Sequence, residues 1–102
     1  MYELRYAPLA RQDLAEIVRY IAFELHAPAT ARKLLEKIEK QIGLLRDFPY
    51  AHPLFRSRRT LKDEFRLMPV ENYLVFYVVA DSMVEIRRVL YAASDTDTRI
   101  VE

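Results

Sequence analysis

The chain has 102 residues, a length that points to one domain large enough to bury a single core. Hydrophobic residues make up 52% of it, the proportion of a globular protein and not of a disordered one. Cysteine is absent, which removes disulfides, thiolate nucleophiles and cysteine-based metal sites and fits a reducing cytoplasm; a formal net charge of +1 gives no global case for nucleic acid.

In chain order, Tyr2-Glu3-Leu4-Arg5-Tyr6 alternates apolar and charged residues and predicts a short strand, which Ala7-Pro8 stops. Pro8 suits the first position of a helix, where its missing N–H costs nothing. From there Leu9, Leu14, Ile17, Val18, Ile21 and Leu25 recur at three- and four-residue spacing, the apolar face of a first helix. Arg11, Gln12, Asp13, Glu16, Arg19 and Glu24 are assigned to its wet side. His26-Ala27-Pro28 ends it, because the residue before a proline is pushed out of helical geometry. A second helix is predicted from about Pro28 to Arg46, with Ala31, Leu34, Leu35, Ile38, Ile42 and Leu45 on its apolar face. So short a connection makes the two helices antiparallel neighbours.

Phe48 to Phe55 is a proline-bracketed loop whose aromatics are expected to tack it onto a following hairpin. The next segment, Arg56 to Arg66, carries five basic residues (Arg56, Arg58, Arg59, Lys62, Arg66) against Asp63 and Glu64, a local surplus of 5 − 2 = 3. Such a patch is either a solvated loop or a surface turned to phosphate or an acidic partner. From Glu64 to Tyr91 three β-prone runs are punctuated at Glu71-Asn72 and at Ala80-Asp81-Ser82. The middle run, Tyr73 to Val79, is apolar or aromatic throughout, so both faces of that strand should be covered. The tail from Ala92 to Arg99 is polar and aperiodic. The expected fold is α+β in the order β-α-α-β-β-β over residues 1–102, one domain, with a helical hairpin on one face of a small antiparallel sheet. The place of the first strand in that sheet does not follow from periodicity.

Chemistry-bearing motifs are few. His26 and His52 are the only histidines and have no metal-ligand companion at useful spacing, so no metal site is expected. Gly43, the only glycine, lies within a helix, which leaves no glycine-rich phosphate loop. Arg66, Tyr73, Tyr77, Arg87, Arg88 and Tyr91 gather on the strands, where Arg and Tyr could bind phosphate or stabilise a developing charge. Tyr73 and Tyr77 read as core more readily than as site, and one of the adjacent Arg87 and Arg88 is expected to pair with a carboxylate, Arg88 with one such as Glu64 or Glu85. The N-terminus, Met1-Tyr2-Glu3-Leu4-Arg5, lacks the apolar run of a signal peptide and no stretch could span a bilayer. A cytoplasmic protein without a membrane partner is therefore expected.

Three passages carry a resemblance to a known family: Tyr6 to Ile21, Phe65 to Tyr77 with its Arg66–Tyr73–Tyr77 spacing, and Val84 to Tyr91. Together they resemble the RelE/ParE superfamily of bacterial type II toxins, within it the ParE-like branch. The resemblance implies a cofactor-free toxin that inhibits growth, as in plasmid-stabilisation modules, and is held by a cognate antitoxin in a hetero-oligomer. It leaves two targets. RelE-like members cleave mRNA on the ribosome, here as a metal-independent endonuclease, whereas ParE-like members poison DNA gyrase. The nucleases tend to place Arg where this chain has Leu74, and His or basic residues where it has Ala92-Ala93-Ser94. Both departures favour gyrase. The target-binding candidates are Arg56, Arg58, Arg59, Arg66, Arg88 and Tyr91, of which Arg66 and Arg88 match positions often basic in the superfamily.

Overall fold

A computed structural model describes residues 1–100; Val101 and Glu102, the end of the expected 1–102 domain, lie outside the described residues. The elements are β1 (Glu3–Tyr6), α1 (Pro8–Arg19), a π-helical turn (Tyr20–Glu24), α2 (Pro28–Gly43), a 3-10 turn (Leu44–Arg46), β2 (Arg66–Val70), β3 (Tyr73–Ala80), β4 (Met83–Tyr91) and a four-residue α3 (Thr96–Arg99). The α+β class and the β-α-α-β-β-β order stand as expected, with α3 added in the tail. No helix among the described residues is long and apolar enough to cross a membrane.

The sheet order is β1-β4-β3-β2. β2, β3 and β4 form the expected antiparallel meander, Val70 facing Tyr73 and Ala80 facing Met83 across its two turns. β1 departs from a purely antiparallel sheet: it lies parallel to β4, from Glu3 opposite Met83 to Tyr6 opposite Ile86. Parallel neighbours need a long crossover. Here it consists of the helical hairpin, the long loop and the meander, which bring β4 back beside the opening strand. Glu71 (φ 53°) and Asp81 (φ 55°) take the left-handed conformation at the turns, so at the first it is Glu71 and not Asn72 that bears it.

Both faces of β3 are covered, as its unbroken apolar run requires. One face presents Val75 and Tyr77 with Val84, Ile86 and Val89 of β4, and packs against Ala10, Leu14, Ile38 and Ile42 of the hairpin. The other presents Phe76, Val78 and Leu90, and is closed by Phe65 and Ile100 with Phe55 and Leu61 at the margin. Of the loop aromatics, Phe55 reaches the hairpin, edge-to-face on Phe76 at 5.1 Å. Phe48 and Tyr50 stay exposed.

Two irregularities break the regular pattern of strands and helices. The β3–β4 register shifts between Phe76, opposite Arg88, and Tyr77, opposite Ile86, so Arg87 is the extra residue of a bulge. And α1 gives way at Tyr20 to a wider π turn, ended by His26 at φ 52°, which leaves Tyr20, Phe23 and Leu25 exposed at the tip of the hairpin.

Candidate functional site

A groove of about 1030 Å³ opens between the tip of the helical hairpin, the start of β3 and the end of β4. Ile17, Tyr20, Ile21, Leu25 and Leu34 line it on the helical side, and Tyr73, Val89 and Tyr91 on the sheet side. Tyr91 is half exposed here and packs edge-to-face on Tyr73 at 5.6 Å. Lys37 and Glu71 pair across one end of the groove at 2.5 Å, about half exposed, a contact worth less than ~1 kcal/mol.

The inner wall of the groove explains Arg88. β1 pairs with β4 only as far as Ile86, so the β4 edge beyond has no strand neighbour. Asp13 fills that vacancy. One carboxylate oxygen accepts the Val89 backbone N–H at 2.9 Å, and the two oxygens together take Arg88 Nε at 2.8 Å and Nη2 at 2.9 Å. Arg88 Nη1 donates onward to the Arg99 carbonyl at 2.6 Å. Asp13 and Arg88 are 6% and 8% exposed. The carboxylate holds the guanidinium above its ordinary pKa, against the opposing effect of burial. Asp13 is thus not on the wet side of α1. The carboxylate that pairs with Arg88 comes from α1, while Glu85, with Asp63, takes the neighbouring Arg87. The signal was present in the helical spacing: Asp13 lies on the stripe of Ala10, Leu14 and Ile17, three residues beyond the first and four before the last.

The other candidates do not join Arg88. Arg66 donates from Nη1 to the His52 carbonyl at 2.8 Å and lies 4.9 Å above the ring of exposed Tyr50. Arg58 and Arg59 are held by the tail: Arg58 donates from its backbone N at 2.9 Å and from Nε at 3.1 Å to Asp97, and Arg59 Nη2 reaches the carbonyls of Asp97 and Ile100 at 2.8 and 2.9 Å. The Ser57 hydroxyl also donates to Asp97. With three donors around it, that carboxyl is held at a pKa of about 2. Arg56 is exposed on the same loop. Tyr77 is fully buried, donates to the Pro49 carbonyl at 2.8 Å, and its phenol is pushed up by burial. Burial lowers the imidazole of His52. The six predicted residues therefore occupy four places: a tail-clasped loop, the start of β2, the interior of the β4 edge, and the groove. Sequence reasoning missed Asp13, Asp95 and Asp97.

Residues 4–96 match the family of ParE toxins of the type II toxin–antitoxin system parDE. The chain belongs to the ParE toxin family. Among solved structures this toxin is similar to a chain of the chromosomal ParDE toxin–antitoxin system from P. aeruginosa, at 19% identity and a TM-score of 0.72, over 89% of this chain and 96% of that one. It is also similar to a chain of the E. coli DinJ–YafQ complex, at 14% identity and a TM-score of 0.59, over 91% and 96%. At these identities the likeness shows a shared fold. No curated protein sequence matches the toxin.

Proposed function

We propose that this toxin inhibits growth by binding DNA gyrase and is silenced by a cognate antitoxin seated in the groove. The observation that carries a binding reading over mRNA cleavage is the state of the side chains a nuclease would use. Arg88 is buried against Asp13. The Tyr77 phenol is fully buried and donates to a backbone carbonyl. A group that moves a proton or stabilises a developing charge needs hydrogen-bond reach to its substrate, which neither the Tyr77 phenol nor the Arg88 guanidinium has here. The exposed arginines of the loop, Arg56, Arg58 and Arg59, with Arg66 at the start of β2, are the candidate gyrase-facing residues.

The antitoxin assignment rests on the groove and on the likeness to chains from toxin–antitoxin complexes. An amphipathic segment laying apolar side chains along Ile17, Ile21 and Leu34, with Tyr20 and Tyr91 as rims, matches the helix-in-groove mode of recognition. The outer edge of β2 is a poor alternative. The segment 53–55 already covers its start, through Phe55 N–H to the Phe65 carbonyl at 2.7 Å and Leu67 N–H to the Pro53 carbonyl at 3.1 Å, and Pro69 brings no N–H.

The test puts purified toxin into two assays side by side: supercoiling by gyrase, and cleavage of mRNA on stalled ribosomes. Inhibition of gyrase without mRNA cleavage is expected, and cleavage without inhibition would replace the gyrase reading. The Tyr91→Ala variant should keep its stability to within about 1 kcal/mol, the scale of an exposed aromatic pair. It should also weaken antitoxin binding. Unchanged antitoxin affinity would move the antitoxin away from the groove.

A further inference from the structure

The three donors around Asp97 form a cradle of a particular kind. A hydroxyl (Ser57), a backbone N–H (Arg58) and a guanidinium N–H (Arg58 Nε) converge on one carboxylate, and Arg58 Nη2 extends to Asp95 at 3.3 Å. Such a set of donors recognises an oxyanion as such, and a phosphate presents more oxygens to it than a carboxylate does. The Arg58 side chain is 75% exposed, so its ion pairs with the tail are of the weak, solvent-screened kind. Beside the cradle a cleft of about 310 Å³ opens next to Arg56, Ser57 and Arg59, room the carboxylate does not use. Its acidic members are Asp63, bonded by Arg87, and Glu64. The tail is anchored on both sides of Asp97, by Ala92 N–H to the Asn72 carbonyl at 2.8 Å and by the Arg99 carbonyl on Arg88 at 2.6 Å with buried Ile100 behind it. The stretch between the anchors can lift while Ile100 still closes the second core.

We propose that Ser57, Arg58 and Arg59 form a phosphate-binding site, and that the tail carboxylate of Asp97 is its built-in occupant, displaced when a phosphate-bearing polyanion arrives. Releasing Asp97 and Asp95 frees Arg58 from both carboxylates and Arg59 from the Asp97 carbonyl, on the same loop as exposed Arg56. A polyanion then gains the release of its counterions, which an internal carboxylate cannot supply. The loop is thus masked in the free protein and basic in the bound one. This does not depend on gyrase being the target.

The experiment uses the full chain as wild type, Asp97→Ala, and the triple variant Asp97→Ala/Arg58→Ala/Arg59→Ala. A fluorescent single-stranded oligothymidylate is titrated by anisotropy at several salt concentrations, with tripolyphosphate as competitor. Asp97→Ala should tighten oligonucleotide binding about tenfold. It should also steepen the log–log salt slope by about 1.4, two further phosphates at about 0.7 each. The triple variant should lose the gain. Tripolyphosphate binding with no oligonucleotide binding would assign the site to free phosphate and not to a nucleic-acid backbone. Binding no tighter than wild type, or a gain that survives in the triple variant, overturns the proposal. If Asp97→Ala fails to fold, hydrogen exchange of the wild type decides. Saturating tripolyphosphate should strip protection from the Ile100 amide, which donates to the Thr96 carbonyl at 3.2 Å. Unchanged protection there overturns the proposal as well.

Discussion

Replacing Asp13 with Asn, or Arg88 with Met, separates a structural arginine from a site arginine. The Asp13 carboxylate accepts three hydrogen bonds of 2.8 to 2.9 Å from Arg88 and Val89, and both charged side chains are almost wholly buried. Asp13→Asn keeps an oxygen for the Val89 N–H but leaves the guanidinium buried without a counter-charge. Arg88→Met leaves the carboxylate with the Val89 N–H as its remaining donor. Breaking one side of a buried pair costs about 3–5 kcal/mol. That is a large share of the ~5–15 kcal/mol by which a domain of this size is stable. The double variant Asp13→Asn/Arg88→Met removes both charges while retaining the cap on the sheet edge. It should lose about 2–3 kcal/mol less than the two single losses add up to, because an apolar side chain of similar length suffers no desolvation penalty. Urea unfolding of the wild type, the two single variants and the double variant gives the coupling energy, expected at about 2–3 kcal/mol. Single-variant losses below about 1 kcal/mol, or additivity to within about 0.5 kcal/mol, would refute the reasoning. Growth inhibition measured in parallel should fall in step with stability. An Arg88→Met protein as stable as wild type but harmless would place Arg88 at the target instead.

Two further outcomes concern the core and the tail. Phe76→Ala removes the ring between Phe55, Phe65 and Leu90 on the second face of the sheet, and should cost ~3–5 kcal/mol in a urea or thermal melt; near-native stability would show that β3 is not the centre of the fold. The clasp of the tail on the loop should depend on pH in one direction. Its carboxyl, with a folded pKa of about 2, lies below the unfolded value of ~3.9, so the stabilisation is complete above pH ~4 and is lost as pH falls toward 2. Amide exchange or chemical shifts of residues 95–100 followed through that range should report the release. A tail that loosens between pH 5 and 7 would point to another group.

Local pattern alone determined most of the architecture. The three- and four-residue spacing along α1 and α2, Pro8 and Pro28 at the helix starts, and the turn residues between β-prone runs gave every main element in order. The unbroken run from Tyr73 to Val79 announced a strand covered on both faces, which the hairpin and the 53–65 segment with Ile100 provide. These features are legible because each is set by neighbours within a few positions. The tertiary structure decided what depends on distant partners. It placed β1 parallel to β4, a pairing the long crossover permits, whereas the alternation of β1 names no partner strand. It paired Asp13 with Arg88 across 75 residues, a choice made by the shortness of β1, which ends at Tyr6 and leaves the Val89 N–H to be satisfied by a side chain. And it turned Arg58 and Arg59, which the sequence offers only as charge on a loop, toward a tail some forty residues away, because burial of Ile100 in the second core holds the carboxylates of Asp95 and Asp97 beside Arg58 and the carbonyls of Asp97 and Ile100 beside Arg59.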